Sequence, residues 1–397
     1  MFSTATEQYL DKIQTKLDKY SKNKSSSAKK IALKLLWLNL KFLCSPRGTN
    51  SKKSSFSDNK QHVSIRCFGG MGDFIFAAKY IEALSHYLSD TVEFDILTEK
   101  ENQALFQSIF NGKRYIHNII SLPIKKQYDL SIEITRFPKI VSYFADRLDV
   151  KTRHYVENIK TFYTDNKLAF YNDYIARGIT QLSEGKRENQ ADIYHLLKME
   201  KIPFQLKSDI DKQTVFEQFN IPTTNFITIQ TGAGKHFQHI TNEVRQWSPL
   251  YYEQLIRHLK HRYPHHTFIQ LGESAHPYLN GIDIDLRNKT TISELFCLLK
   301  HASLHVSQEG GMVIARHFLS GRPSVVLFGP TDEKFFGFDE NINIANRSCL
   351  HPCEYITPNW MKQCLKTGSC AECMQNLTPN FIINRLKKSE HTHEKLF

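Results

Sequence analysis

Two glycine turns and a run of cysteines hold the residues whose types could do chemistry. In the first turn, Phe68-Gly69-Gly70-Met71-Gly72-Asp73, the glycines loosen the backbone and a single carboxylate closes the loop. An aspartate placed there either caps the helix that follows or acts as a reagent on a bound group. In the second turn, Thr231-Gly232-Ala233-Gly234-Lys235, small residues let backbone N–H groups face phosphate oxygens, and Lys235 adds a cation. Five of the eight cysteines are Cys349, Cys353, Cys364, Cys370 and Cys373. The two close pairs, Cys349 with Cys353 and Cys370 with Cys373, have the spacing of a structural four-thiolate zinc or iron site. Reduced free thiols fit the pattern equally, because five cysteines exceed the four ligands needed. Disulfides are not expected in the reducing compartment that the lack of a signal peptide implies.

These turns need strands before them and helices after them. Val63, Ile65 and Cys67 alternate with Ser64 and Arg66 as a strand does. Past the glycines, Phe74, Ala77, Ala78, Ile81 and Leu84 recur at helical spacing, which predicts a helix entered at Asp73. Strands are expected at 92–97, 119–122 and 130–134, with a helix over 101–110, the rhythm of parallel βαβ units. From Arg147 to about Glu200 the chain reads as mostly helical. Arg153, His154, Tyr155 and Lys160 there either meet an anionic acceptor or form a solvated face.

A second alternation starts near Thr223. A strand over 226–230 runs into the Thr231 turn, and Ser248-Pro249 is a cap followed by proline at a first helical position. The helix from Pro249 should turn Leu255, Ile256 and Leu259 inward. Strands are expected at 267–271, 304–307 and 324–328, the last two followed by Glu309-Gly310-Gly311 and by Gly329-Pro330-Thr331. Thr291-Ile292-Ser293-Glu294 is a capping box for a helix ending near His301. Cys44, Cys67 and Cys297 sit in apolar runs and read as core.

At 397 residues the chain suits two domains, and 41% apolar with 23% charged residues marks a globular protein. The formal charge of +12 is concentrated at the front, where residues 1–60 hold thirteen Lys and Arg against four Asp and Glu. The rest is nearly balanced, with neither a groove reader nor an RNA-binding aromatic motif, so nucleic acid is not an expected partner. Residues 28–44, AKKIALKLLWLNLKFLC, are fewer than the roughly 20 apolar residues that span a bilayer. They form either an interfacial helix on an anionic membrane surface, with Trp37 and Phe42 inserted, or a helix packed on the body. Residues 45–60 read as a linker.

The order and spacing of Gly70-Met71-Gly72-Asp73, Arg245-Gln246-Trp247, Glu309-Gly310-Gly311, Leu327-Phe328-Gly329-Pro330-Thr331 and Cys373-Met374-Gln375-Asn376-Leu377-Thr378-Pro379 resemble the family 9 glycosyltransferases, which include the ADP-heptose:lipopolysaccharide heptosyltransferases. The resemblance runs from Val63 to the C-terminal helix and leaves the front segment outside. It implies an α/β protein of the GT-B fold, two Rossmann-like domains facing each other across a cleft, here with an N-terminal helical extension. The expected divisions are 1–60 for the extension and linker, 61–206 for the acceptor domain, and 207–397 for the nucleotide-sugar domain with its cysteine-rich loop.

By the same resemblance the protein is an inverting glycosyltransferase that needs no cofactor for catalysis. Asp73 is its general base, and Gly70, Met71 and Gly72 form the acceptor-side turn. Arg245 stands where the family commonly has a phosphate-binding lysine, and Thr231, Gly232, Lys235, Glu309, Gly310, Gly311, Gly329 and Thr331 complete the donor side. Heptosyltransferases typically read Asp-Thr-Gly or Asp-Ser-Gly with histidine three residues later. This chain has Glu309-Gly310-Gly311 and then Ile314, with His317 nearly one turn further on, which leaves the donor sugar open. The reading is transfer from ADP-heptose to a lipopolysaccharide-core or other lipid-linked glycan, in the cytoplasm or at the inner face of its membrane. The alternatives are another nucleotide sugar with a capsule, glycolipid or protein acceptor, and a non-catalytic nucleotide-sugar-binding protein.

Overall fold

The computed structural model describes residues 49–50, 56, 59–88, 90–135, 137–166, 194, 196–222, 225–232, 244–346, 352–354, 360–361, 363–364, 366–368 and 371–390. Residues 28–44, Lys235, Cys44, Cys349 and Cys370 lie outside the described residues. The chain divides into two compact units, the first ending at Phe204 and the second starting at Gln205, with Gly70–Gly72 counted in the second. Among the described residues no helix is long and apolar enough to cross a membrane.

The first unit is a six-stranded sheet of β1 (Thr49–Asn50), β2 (Gln61–Cys67), β3 (Val92–Thr98), β4 (Ile116–Ser121), β5 (Leu130–Thr135) and β6 (Phe137–Tyr143), in the order β1-β6-β5-β2-β3-β4. Every pairing is parallel except β5 with β6. Helices α1 (Met71–Tyr87), α2 (Gln103–Ile109) and α3 (Val150–Asp165) accompany it. Asp149 caps α3 by accepting from the Thr152 N–H at 2.7 Å. On α3, Arg153 and His154 are exposed, but Tyr155 is buried and its hydroxyl bonds that of Tyr80 on α1. Lys160 reaches the Tyr143 hydroxyl at 2.7 Å and Glu157 at 2.9 Å. Tyr155 thus belongs to the core and joins α3 to α1.

The second unit has β7 (Phe226–Gln230), β8 (Thr267–Leu271), β9 (Ile284–Asp285), β10 (Leu304–Gln308), β11 (Ser324–Phe328) and β12 (Ile342–Ala345), ordered β12-β11-β10-β7-β8-β9. All of its pairings are parallel. Counted from its own first strand, this is the doubly wound order 3-2-1-4-5-6, which opens a crevice beyond the carboxyl ends of β7 and β10. Both units are therefore Rossmann-like. The strands read as near-continuous apolar runs because helices cover both faces of a parallel sheet. Those helices are α4 (Lys212–Gln218), α5 (Pro249–Arg262), α6 (Ile292–His301), α7 (Gly311–Ser320), α8 (Glu333–Phe336), α9 (Glu372–Gln375) and α10 (Pro379–Glu390). Proline starts α5 as expected, although the Ser248 side chain makes no capping bond. Both bonds of the capping box form at α6, from the Glu294 N–H to Thr291 Oγ1 at 3.3 Å and from the Thr291 N–H to Glu294 at 2.7 Å. Cys67 and Cys297 are buried.

Arg316 on α7 is fully buried and closes the far end of α6. Its guanidinium donates to the carbonyls of Leu299, Ala302 (2.9 Å), Ser303 (3.2 Å) and Pro323 (3.2 Å). A cation there satisfies orphan helix carbonyls and opposes the helix dipole. Neighbouring His305, on β10, bonds Thr228 Oγ1 through Nδ1 at 3.0 Å, and burial, then Arg316, push its pKa down to about 3. The unfolded chain takes up this proton below 6.5 while the folded protein refuses it until about 3. His305 thus costs nothing above that window, and within it stability falls by about 1.4 kcal/mol per pH unit as pH drops. His305→Gln should flatten this slope, measured by urea unfolding at about pH 6.5 and about pH 5. An equal loss in both proteins would refute the assignment.

Candidate functional site

The first turn follows β2, where the strand order of its sheet reverses between β3 and β5. The Phe68 N–H ties the end of β2 to the Ile134 carbonyl on β5 at 3.0 Å. Gly69 has φ +121°, and any Cβ there would collide with the Asp73 carboxylate, which folds back over the glycine. The helix begins at Met71 rather than Asp73. Asp73 is thus its third residue and not its cap, a half-buried carboxylate in the positive first turn of α1.

In the second unit the carboxyl ends of β7 and β10 are bolted together. Gln230 and Gln308, the last residues of those strands, both donate through Nε2 to the Gly232 carbonyl at 2.8 Å. The Gln308 Oε1 accepts from the Tyr252 hydroxyl of α5 at 3.0 Å. Gly232 has φ +80°, so the turn needs glycine. Beside it the Thr231 hydroxyl is buried without a partner among the described residues, as is that of Thr331 after β11. Arg245 donates through Nη2 to the Glu309 carbonyl at 3.0 Å and to the Glu309 carboxylate at 2.5 Å. Trp247, two residues on, fixes that stretch by burying its ring and donating to the Leu377 carbonyl at 2.7 Å. Gly310 precedes α7, where a Cβ would meet open space.

Thr231, Gly232, Arg245, Glu309, Gly310 and Thr331 therefore lie along the carboxyl edge of one sheet. Gly329 is there too, but its missing side chain makes room for Met374 and the Val244 carbonyl, so packing accounts for it. His317 points elsewhere, bonding Glu340 at 2.6 Å and stacking on Phe338. Gln230, Gln308, Tyr252 and His276 were not singled out in the sequence. A polar residue closing each of two apolar strands is the signal that could have found the glutamines.

Of the cysteines, Cys353 donates its N–H to the Pro330 carbonyl at 2.9 Å, and Cys373 is buried among Trp247, Met374 and Leu377. Burial acts to raise the Cys364 thiol, yet hydrogen bonds from the Thr367 hydroxyl and from the N–H groups of Thr367, Lys366 and Glu372 outweigh it and hold its pKa below the usual thiol value. Among the described residues no three His, Cys, Asp or Glu side chains come together to hold a metal. The described thiols thus do not by themselves assemble the expected site.

The clamp on Gly232 should be costly to break. Gln308→Leu strips partners from the Gly232 carbonyl and the Tyr252 hydroxyl and should lower unfolding free energy by about 2–3 kcal/mol, against about 1 kcal/mol for Tyr252→Phe. Urea denaturation of the two variants checks the order.

No family model matches this sequence, and no curated protein matches it. Solved structures do. The ADP-heptose lipopolysaccharide heptosyltransferase II of E. coli aligns over 82% of this chain and 98% of its own at 12% identity, with a TM-score of 0.52. A glycosyl transferase family 9 protein from Veillonella parvula covers 85% of this chain and 98% of its own at 11% identity, TM-score 0.51. TibC, an iron-containing dodecameric glycosyltransferase of enterotoxigenic E. coli, covers 83% of this chain and 77% of its own at 15% identity, TM-score 0.56. It has also been solved in complex with ADP-D-β-D-heptose. At such identities the likeness is one of fold: this chain has the fold of the heptosyltransferases and other family 9 glycosyltransferases.

Proposed function

We propose that the protein is an inverting glycosyltransferase of the family 9 type, which moves a sugar from a nucleotide donor, ADP-heptose being favoured, to a lipopolysaccharide-core or other lipid-linked glycan. The observation that carries this reading is the convergence of the Gly232 turn, Arg245 and the start of α7 at the point where the second sheet reverses its strand order. A nucleoside diphosphate is the ligand such an edge suits, since N–H donors and a cation stabilise the charge that builds on the leaving group. Arg245 uses only Nη2 among the described residues, which leaves Nε and Nη1 for phosphate oxygens. The Thr231 and Thr331 hydroxyls, with Lys235, add donors.

In this reading Asp73 takes the proton of the acceptor hydroxyl as that oxygen bonds the anomeric carbon. The bond from carbon to the diphosphate breaks in the same displacement, inverting the centre. The fold shared with a protein solved with ADP-D-β-D-heptose favours that donor. Glu309, where heptosyltransferases place aspartate, favours testing other nucleotide sugars alongside it. No step uses a metal. The pairs Cys349/Cys353 and Cys370/Cys373 remain our proposal for a structural zinc or iron, read out by metal content of the purified protein. Residues 28–44 are proposed to hold the enzyme on an anionic membrane at the cytoplasmic face, beside lipid-linked acceptors.

Thermal shifts against ADP, UDP, GDP and CMP should single out one nucleotide, with about 2.7 kcal/mol of stabilisation at a hundredfold excess over Kd. Asp73→Ala should then cut turnover by about 10²–10⁴ while nucleotide affinity stays put; unchanged turnover would remove Asp73 as the base. Deleting residues 1–44, which spares β1, should free the protein from anionic vesicles, and a deletion variant that still sediments with them refutes the membrane role.

A further inference from the structure

His276 is one of the few large polar side chains buried at the carboxyl edge of the second sheet, and the transfer chemistry above does not use it. It lies on the loop after β8. Its Nδ1 accepts the Glu273 N–H at 3.1 Å, and its own N–H bonds the Glu273 carbonyl at 3.0 Å. That acceptor role places the ring proton on Nε2. The His276 carbonyl accepts from Arg287, whose guanidinium grips Asp285 with two bonds of 2.9 and 2.8 Å. Behind the loop, the buried Gln270 donates to the Pro277 carbonyl at 2.7 Å and accepts from the Leu279 N–H at 3.1 Å. The backbone of His276 is thus tied on both sides, and the Glu273 N–H fixes one ring nitrogen.

What it is held against is informative. Gly232 and Gly272, which follow the adjacent strands β7 and β8, have φ +80° and +132°. A Cβ on Gly272 would strike the His276 Nδ1, and a Cβ on Gly232 would strike Cδ2 and come within 2.7 Å of Nε2. One ring therefore fills the space above two left-handed glycine turns. Gln230 and Gln308 fix the Gly232 carbonyl from the sheet side, and His276 fixes its α-carbon from the β8 side.

We propose that His276 is a positioning residue for the diphosphate of the nucleotide donor: wedged between Gly232 and Gly272, it sets the place at which Thr231 and Gly232 meet the phosphate oxygens. This rests on the nucleotide-donor reading. Backbone N–H groups bind phosphate well only where they are already aimed, and a turn free to shift by a fraction of an ångström loses that advantage. A nucleoside monophosphate, with one phosphate fewer to place, depends on the turn less than a diphosphate does.

The test is calorimetric titration of the full-length protein with ADP and AMP, or with the di- and monophosphate of whichever base the wild type selects. In His276→Ala the preference for diphosphate over monophosphate should shrink by about tenfold while monophosphate affinity stays within about threefold. His276→Asn, whose Oδ1 can take over the bond from the Glu273 N–H, should recover most of the preference. An undiminished preference in His276→Ala, or an equal loss for both nucleotides in both variants, overturns the proposal and marks His276 as structural. A wild type that binds no nucleotide sinks the donor reading and this inference with it.

Discussion

The second unit depends on one carbonyl held by two buried carboxamides. Gln230 and Gln308 come from β7 and β10, the two strands between which the chain reverses direction across the sheet, and both bond Gly232. A parallel sheet sends every strand end to the same edge, but a reversal of order leaves a gap there that backbone bonds do not close. The carboxamides close the floor of that gap, and Tyr252 orients one of them from α5. Buried amides are stabilising when both ends are satisfied, as those of Gln308 are.

The same logic, with simpler means, serves the first unit. Its β2 also lies at a reversal, and the Phe68 N–H bond to Ile134 anchors the turn that carries Asp73. Gly69 supplies the backbone angle that a side chain would forbid, and the space above it holds the carboxylate. In both units, then, a glycine with positive φ lets a functional group approach the end of a central strand.

Two charged or polar groups away from this edge show how the sheet and its helices are locked. Arg316 spans from α7 to the last turn of α6, and His305 stays neutral beside it in the middle of β10. Arg245 and Glu309 pair at the exit of β10, so each orients the other. The Cys353 segment is tied to Pro330, which links the cysteine loop to the exit of β11. These contacts join residues far apart in the chain.

The sequence by itself determined the repeated strand-turn-helix units. Apolar runs such as 226–230, 267–271 and 324–328 are strands because a sheet buried on both faces admits little else, and Pro249 and the Thr291–Glu294 box start helices by local chemistry alone. The Asp73 turn was legible for the same reason, since glycines and a carboxylate within six residues act locally. Short or interrupted strands were not: β6 contains Pro138 and Lys139, and β9 has only two residues, so neither shows a period. Only the tertiary structure decided that Gln230, Gln308 and Tyr252 meet at Gly232, that His276 sits over two glycines, and that Tyr155 is core. Each is a polar or amphipathic residue whose place depends on a partner distant in sequence, and no local pattern encodes that distance.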